Sequence, residues 1–344
     1  MIRHSLVVGT DDLARFDGSV VCRDLRIDLA NGQRTIRRGT LVDLALRQVL
    51  AGQSGATIDV LSPEPGEIEQ PEASRRLAAA LAGEGVSADN PHQGQVILHA
   101  YHGGIARVSG ETVRLINSQR AFLVATALDG RVVETGDTLA VVKGARLWIS
   151  EGEVNLALGW VDRTARLRVA PFRARRAAFV AGPRTRVGSM ETAAENLRRA
   201  LNRYGTDLVE TRQINDDAAV ISALFREQVD AGIEIILIAG SIVLDPGDPF
   251  LVAIETAGGK VACLGAPIDP GTMFWVGYVE HTAIMGLASC EMYGRVSVLD
   301  LLLPYAVAGE PITADLLAEL GYGGLLNQTF SSRQTVFVAE PDQP

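Results

Sequence analysis

The chain has 344 residues, of which 47% are hydrophobic and only 5% aromatic, and its formal net charge is −9. This length corresponds to two or three domains, and the acidic balance argues against general nucleic-acid binding, which needs a basic surface. No apolar run approaches the ~18 residues that span a bilayer, and Asp11 and Asp12 interrupt the segment where a signal peptide would be apolar. A cytoplasmic location is predicted from these features together with the wide separation of the three cysteines, which are Cys22, Cys263 and Cys290.

Residues 1–90 predict a small α/β domain. The strand-like stretches are 19–22, 25–29 and 56–61, with a turn at Asn31 and Gly32. Thr40 is predicted to cap a helix over 41–51. A second, amphipathic helix over 72–81 is predicted to start at Pro71, because proline suits the first turn of a helix.

Residues 91–173 predict a β-rich, barrel-like domain followed by a linker. Glycine turns separate predicted strands at 95–101, 104–108, 112–116, 121–127 and 138–142, and a short helix covers 151–158. The stretch 130–139 resembles the hairpin of biotinyl and lipoyl carriers, but Lys143 falls beyond the position of their modified lysine. The spacing of His92, His99 and His102 matches no zinc pattern, which favours histidines on half-buried strands over metal ligands.

From residue 174 to 330 predicted strands and helices alternate, as in a parallel α/β sheet, and 331–344 is predicted to be a poorly ordered tail. The predicted strands are 177–181, 207–211, 233–238 and 261–264, with a hairpin formed by 273–279 and 282–287. The predicted helices are 190–204 (capped by Ser189), 218–229, 249–257, 289–303 and 313–320.

The most informative stretch is 232–248. Its first part, 233–238, is rich in β-branched residues and predicts a central strand that is buried on both faces. The strand leads into Gly240 and Ser241, small residues that let a ligand approach the backbone. Asp245 and Asp248 follow, and two carboxylates on such a loop could hold Mg²⁺ beside a phosphate. The alternative is a solvated turn in which Asp248 only caps the next helix.

Four loops of this region are expected at one edge of the sheet, where open α/β folds bind ligands. They are 182–188, 214–217, 239–241 together with Asp248, and 286–289. Their order and spacing resemble the molybdopterin-binding domain shared by molybdopterin molybdotransferases, molybdopterin adenylyltransferases and gephyrin. Asp216, Asp217, Gly240 and Asp248 match that pattern. The resemblance implies a three-layer α/β/α domain, a molybdopterin ligand and a homo-oligomer, either a dimer or a trimer.

The sequence also departs from the family pattern. The family has Thr-Gly-Asp-Glu after its first strand, where this chain has no acid and carries Arg184. The family's Lys-Pro-Gly-Lys segment keeps only Pro270 and Gly271, since Asp269 and Thr272 replace the lysines. Replacing two cations by one anion opposes the binding of a dianionic pterin.

The closing loop differs as well, because Ala-Ser-Cys-Glu follows Gly286 and Leu287 where the family has Pro-Gly-Asn-Pro. Arg184 or Arg186, or backbone amides at a helix that starts at Ser289, could supply the missing positive charge. Catalysis of molybdate insertion is therefore not predicted.

Two functions remain open from the sequence. The first is a protein that binds molybdopterin or molybdenum cofactor, with Mg²⁺, for its biosynthesis, storage or delivery to a molybdoenzyme. The second is a catalytically degenerate module that binds another small ligand or acts as a scaffold. The predicted metal ligands are Asp217 and Asp248. The predicted cofactor-binding residues are Gly182, Gly188, Ser189, Asp216, Asp217, Gly240, Ser241, Asp248, Pro270, Gly271, Gly286 and Ser289.

Overall fold

The computed structural model of the chain describes residues 1–29, 32–173 and 175–326. Asn31, for which a turn is predicted, and the predicted tail 331–344 lie outside the described residues. In the described part, no helix is both long enough and apolar enough to cross a membrane. The predicted domain boundaries at residues 90 and 173 stay predictions. Buried hydrophobic residues between 6 and 60 form one cluster, those between 73 and 169 form a second, and a third holds Ile105 and Ala170 together with residues between 177 and 326.

The first region has its own core, to which Leu6, Ile27, Leu50, Ile58 and Val60 contribute. An antiparallel sheet of order β1-β5-β2 and a β3–β4 hairpin surround it. Its elements are β1 (Ile2–Val7), β2 (Val20–Val21), β3 (Leu25–Leu29), β4 (Gly32–Ile36), α1 (Leu44–Leu50) and β5 (Thr57–Ser62).

The predicted cap of the first helix is wrong by one turn. The Asp43 side chain accepts a hydrogen bond from the amide of Leu46 and so starts α1. Thr40 instead donates its hydroxyl to the carbonyl of Arg37, within the preceding turn. A short polar side chain that can bond its own local backbone serves equally well in a turn or as a cap, so the sequence does not distinguish the two.

The second region combines helices with two small antiparallel sheets, of order β10-β12-β8-β7 and β11-β9-β14. The helix predicted from Pro71 is confirmed as α2. The elements are β6 (Glu67–Glu69), α2 (Gln70–Leu81), β7 (Val86–Ala88), β8 (Gln95–Ala100), β9 (Gly104–Arg107), α3 (Gly110–Ser118), β10 (Phe122–Thr126), β11 (Val132–Val133), β12 (Thr138–Gly144), β13 (Trp148–Ser150), α4 (Glu151–Arg163) and β14 (Arg168–Pro171).

The barrel-like prediction for this region is wrong. Residues 112–116, predicted as a strand, lie in α3, which is capped by Ser109 and buries Thr112 and Ile116 one helical turn apart. The resemblance of 130–139 to a carrier hairpin also fails, because β11 pairs with β9 whereas β12 pairs with β8 and β10. Residues of α2, α3 and α4 complete one core with the larger sheet, so no closed barrel is needed to bury the strands.

The third region is built on a six-stranded mixed sheet of order β16-β15-β17-β20-β19-β18. The strands β16, β15, β17 and β20 lie parallel to one another. Strand β19 runs antiparallel to β20, and β18 runs antiparallel to β19. The elements are β15 (Arg176–Ala181), α5 (Val187–Asn202), β16 (Asp207–Gln213), α6 (Ala218–Asp230), β17 (Ile235–Ala239), α7 (Pro249–Thr256), β18 (Lys260–Leu264), β19 (Trp275–Val279), β20 (Thr282–Gly286), α8 (Ser289–Met292), α9 (Val298–Ala308) and α10 (Ala314–Gly321).

The predicted central strand is confirmed as β17, whose five residues are all buried. Successive side chains of a strand point to opposite faces. Ile235 and Leu237 accordingly join a cluster with residues of α5 and α9, whereas Ile236 and Ile238 join a cluster with residues of α6 and α7. Helices therefore cover both faces, which gives the α/β/α layering predicted for this part of the chain.

Two helix predictions in this region are corrected. Helix α5 begins at Val187 after Arg186, so Ser189 lies in its first turn and is not its cap. The helix predicted over 289–303 is two helices, α8 and α9, because Ser297 and Asp300 form a capping box that starts a new helix. Pro304 lies inside α9 and does not end it.

Close packing between β19 and β20 makes Gly286 indispensable. A Cβ at this position would lie 1.9 Å from Nε1 of Trp275, its partner across the strand pair. That indole is almost fully buried and donates to Ser241 Oγ at 2.9 Å. Any side chain at residue 286 would therefore displace the indole and break its link to the loop after β17.

We expect Gly286→Ala to lower the free energy of unfolding by about 1–3 kcal/mol, as overpacking of a core does. Urea denaturation followed by circular dichroism measures this. The matched control is Gly159→Ala in α4, where an added Cβ meets nothing within 4 Å, and where alanine should stabilise the helix by roughly 0.5–1 kcal/mol. Equal effects of the two substitutions would contradict the packing argument.

An ionic cluster joins the second and third regions. Glu310, just after α9, pairs with Arg107 of β9 and Arg168 of β14. The hydroxyl of Tyr305 donates to Asp129 at 3.1 Å, and the Arg107 guanidinium lies over the Tyr305 ring. Burial alone would raise the pKa of Glu310, but the hydrogen bonds and charges of the two arginines outweigh it and hold that pKa below its ordinary value.

Glu310→Gln should therefore destabilise the protein in a pH-dependent way. A carboxyl whose folded-state pKa is lowered adds stability above its unfolded-state pKa and loses it as the pH falls through the folded value. At pH 7 we expect a loss of about 1–3 kcal/mol, which should shrink as the pH falls below about 4. Denaturation at several pH values tests this. Glu195→Gln, at an exposed pair with Arg198, is the control and should change stability by less than ~0.5 kcal/mol.

Candidate ligand-binding site at the carboxyl edge of the sheet

The loops after β15, β17 and β20 meet at one edge of the sheet, as predicted from the sequence. Backbone hydrogen bonds tie the loop starts to neighbouring strands, from Gly182 to Ala239 and from Leu287 to Ile238. Between the loops lies a cavity of about 470 Å³, called the edge cavity below. It is lined by Arg184, Thr185, Arg186, Ser189, Gly240, Ser241, Met273, Leu287, Ala288, Ser289, Met292 and Tyr293.

The positive groups of the edge cavity come from the loop after β15. Arg184 is half exposed and pairs with Asp216 at 3.3 Å, which holds the guanidinium beside the cavity. Arg186 is the N-cap residue of α5 and makes no side-chain capping bond. The first amides of a helix have no partner within the helix, so the sixteen-residue α5 turns uncapped N–H groups and the positive end of its dipole toward this loop.

Gly240 allows the closest approach of backbone at this edge. Its φ of +90° is in the left-handed region, and an added Cβ would lie 3.2 Å from Thr185 Oγ1. Glycine alone adopts such a conformation without strain. The residue is therefore fixed both by its backbone angle and by the neighbouring loop.

The loop after β17 is held by a buried carboxylate. Asp248 is only 1% exposed, and its oxygens accept hydrogen bonds from Ser241 Oγ at 2.9 Å, from the Ile242 amide at 2.7 Å and from the Phe250 amide at 3.0 Å. Ser241 Oγ also accepts from Trp275. The Ser241 hydroxyl is thereby committed to the protein, although Ser241 lines the cavity.

These contacts show the structural role of Asp248. The alternative in which Asp248 caps α7 is confirmed. The three hydrogen bonds hold the buried carboxylate within the protein, and its role as a metal ligand stays a prediction. Asp217 is exposed and caps α6 through the amides of Ala219 and Val220, and its role as a metal ligand stays a prediction. Within the described residues, no group of three or more acidic, His or Cys side chains is placed to bind a metal.

The structure divides the predicted site residues into three groups. Ser189, Gly240, Ser241 and Ser289 line the edge cavity. Three others contact lining residues without lining the cavity themselves, and they are Gly182, Asp216 and Asp248. The remaining predicted residues do not line it, namely Gly188, Asp217, Pro270, Gly271 and Gly286.

The segment 269–273 reaches the cavity through a residue that the sequence prediction missed. Gly271 packs against Val298, and the backbone of Asp269 pairs with that of Gly324 and Leu326. Met273 lines the cavity instead. Asp269 is exposed and outside the lining, so the charge repulsion expected from it would act from beyond the cavity wall and stays a prediction.

Helix α8 contributes an unreactive thiol. Burial, followed by the nearby Glu291 carboxylate, raises the pKa of Cys290 to about 11. The thiol is therefore protonated at neutral pH, and a thiolate nucleophile is not available at this edge.

Comparisons with known proteins give a partial likeness. No protein-family model and no curated protein match the chain. Among solved structures, a CinA protein of unknown function from Thermoplasma acidophilum matches with a TM-score of 0.33 and 13% identity, over 39% of this chain and 99% of its own.

Two further structures carry titles that refer to molybdopterin biosynthesis. The enzyme MoaB from Thermus thermophilus matches with a TM-score of 0.29 and 16% identity, over 40% of this chain and 98% of its own. The Mog protein from Mycobacterium ulcerans matches with a TM-score of 0.28 and 12% identity, over 39% of this chain and 94% of its own. The matched portion is thus well under half of this chain.

Substitution of the two N-cap aspartates, Asp248 of α7 and Asp217 of α6, tests how much each contributes to stability. Asp248→Asn places an amide donor against groups that need an acceptor, so we expect a loss of about 1–3 kcal/mol in the free energy of unfolding. Asp217→Asn should change it by less than ~0.5 kcal/mol, because asparagine caps a helix as well as aspartate does. Thermal denaturation of both variants, with and without Mg²⁺, is the measurement. An unchanged melting temperature for Asp248→Asn would favour a ligand role for that carboxylate.

Proposed function

We propose that the edge cavity binds a phosphorylated pterin of the molybdopterin class, and that the protein acts in the biosynthesis, storage or delivery of molybdenum cofactor. The observation that carries this proposal is the convergence of two guanidinium groups and the uncapped start of α5 on one cavity. Helix N-termini and arginines are the groups with which proteins bind phosphate.

The dimensions and lining of the cavity fit such a ligand. Its volume of about 470 Å³ lies within the range of roughly 300–1,000 Å³ that small-molecule sites occupy. Arg184, Arg186 and Ser189 supply polar contacts to the cavity. Met273, Leu287 and Met292 supply apolar contacts suited to a flat ring. A ligand with a charged end and a ring system would use both kinds of contact.

Arg184 compensates for the lysines that the resembling enzymes carry in their Lys-Pro-Gly-Lys segment. It reaches the site from the loop after β15, where those enzymes have an acidic stretch. Asp216 orients it through an ion pair without being buried. The positive charge has thus moved from one loop of the edge to another.

The site supports binding better than turnover. Molybdate insertion and adenylyl transfer need groups that stabilise charge as the transition state forms, and losing one such group typically costs ~10²–10³ in rate. Among the described residues that line the cavity none is a lysine, and Asp248 is committed to the loop. We therefore assign the binding step to these residues. Mg²⁺ binding by Asp217, which does not line the cavity, is a separate prediction.

The cheapest test is the pterin that copurifies with the protein. Oxidation of the purified protein should release a fluorescent pterin, and Arg184→Ala should lower its amount by about 10- to 100-fold, because a charge-assisted contact to phosphate is lost. Arg198→Ala is the matched control, since Arg198 lies further along α5, is exposed and pairs with Glu195.

Absence of any pterin, combined with no heat on calorimetric titration with molybdopterin or its adenylated form, would overturn the proposal. That outcome would favour the second function, a degenerate module with another ligand. A pterin content that is equal in Arg184→Ala and the unmodified protein would show instead that the pterin binds elsewhere on the chain.

A further inference from the structure

Helix α8 carries a buried carboxylate whose oxygens lack a well-formed hydrogen bond within the described residues. Glu291 is 3% exposed, and neither of its oxygens accepts a hydrogen bond of normal geometry from the described residues. A buried carboxylate in this state is costly, because it has lost its water and gained little in return. Such groups in folded proteins call for an explanation, and a bound molecule is one.

Glu291 lines a second cavity, of about 140 Å³, between α5 and the start of α9. It is called the α5–α9 cavity below. Its lining is Asn196, Leu197, Arg199, Ala200, Arg203, Glu291, Gly294, Arg295, Ser297, Leu299 and Asp300. None of these residues lines the edge cavity, so the two cavities are distinct.

The lining separates into three kinds of group. Glu291 offers two acceptor oxygens in the interior. Leu197, Ala200 and Leu299 offer aliphatic surface. Three arginines that are exposed to solvent form the cationic part of the lining, and they are Arg199, Arg203 and Arg295. A ligand that satisfies all three must have hydrogen-bond donors, an apolar surface and an anionic group.

Other polar groups of the cavity are already engaged. Asn196 donates to the carbonyl of Met292 at 3.0 Å and accepts from Arg199. Asp300 accepts from the amide of Ser297 in the capping box of α9. The requirement left in this cavity is therefore a well-placed donor for Glu291, because the nearby Ser297 hydroxyl and Cys290 thiol make no hydrogen bond of normal geometry with it. A simple cation does not suit it, because three guanidinium groups line the same space.

We propose that the α5–α9 cavity is a binding site for a molecule with a 2-amino-4-oxo-pyrimidine edge and a phosphate or carboxylate group, as in a guanine nucleotide or a pterin. The ring N–H and the exocyclic amino group of that edge are adjacent donors that match the two oxygens of a carboxylate. The heterocycle lies against the aliphatic side chains, and the anion meets the arginines.

The size of the α5–α9 cavity agrees with a ligand whose ring is inside and whose anionic group is at the surface. A volume of 140 Å³ is below the roughly 300–1,000 Å³ of sites that enclose a whole drug-sized ligand. The ring alone is therefore enclosed, while the anionic group stays at the surface. Arginine is suited to that position, since its planar group pairs with phosphate in a bidentate manner and also stacks on rings.

Calorimetric titration of the full chain with GMP, IMP, AMP and pterin-6-carboxylate tests the proposal. GMP and IMP differ by the exocyclic 2-amino group, so GMP should bind at least about 10-fold more tightly than IMP if that amino group meets Glu291. AMP lacks the edge and should not bind. Binding of GMP alone identifies a nucleotide as the source of the edge, and binding of the pterin alone identifies a pterin.

Variants locate the binding. Glu291→Gln should weaken the ligand that binds by about 10- to 100-fold, and it should not unfold the protein, because it removes a buried charge. Arg203→Ala should weaken binding and reduce its dependence on salt. Arg198→Ala, on the same helix but outside the cavity, should leave it unchanged. The proposal fails if neither GMP nor the pterin binds, if AMP binds as well as GMP, or if Glu291→Gln binds as tightly as the unmodified chain.

Discussion

The edge of the large sheet depends on the hydrogen bonds that Asp248 accepts. A buried carboxylate is tolerated only when it is well bonded, and Asp248 obtains its partners from the loop after β17 and from the first turn of α7. These bonds close the loop over residues 240–248 and present Gly240 to the edge cavity. Because Ser241 also accepts from Trp275, the same network ties the loop to β19. Gly286 is needed for that tie, since any side chain there would push the indole away.

The edge cavity is a cationic site in an acidic protein. With a net charge of −9, the overall field repels anions at long range, and exposed charges are screened beyond a Debye length of about 8 Å. An anionic ligand is therefore attracted only by nearby groups, which are Arg184, Arg186 and the start of α5. Asp216 lowers the net charge of this group but fixes the position of Arg184.

The sequence predicts those parts of the fold whose signals are local and strong. The buried β-branched run of β17, the proline-started α2 and the alternation of strands and helices after residue 174 are of this kind. The prediction fails where a β-branched stretch such as 112–116 is helical, because packing on α4 and β10 outweighs propensity there. It also misses the capping box of Ser297 and Asp300, although that signal is present in the sequence.

At the site, loop order reveals Gly240 and Ser289, whereas Met273 and Tyr293 follow no motif. The commitment of the Ser241 hydroxyl depends on Trp275, which is distant in sequence.

Asp248 and Glu291 show how the same physics separates a structural carboxylate from a functional candidate. Both are almost fully buried in the third region, yet one accepts three hydrogen bonds and the other accepts none of normal geometry from the described residues. Burial outweighs the nearby Ser297 hydroxyl and raises the pKa of Glu291, as expected for a carboxyl that has lost water with little compensation. Glu291 belongs to the Ala-Ser-Cys-Glu stretch at residues 288–291, and it places an acceptor in the same cavity as three arginines.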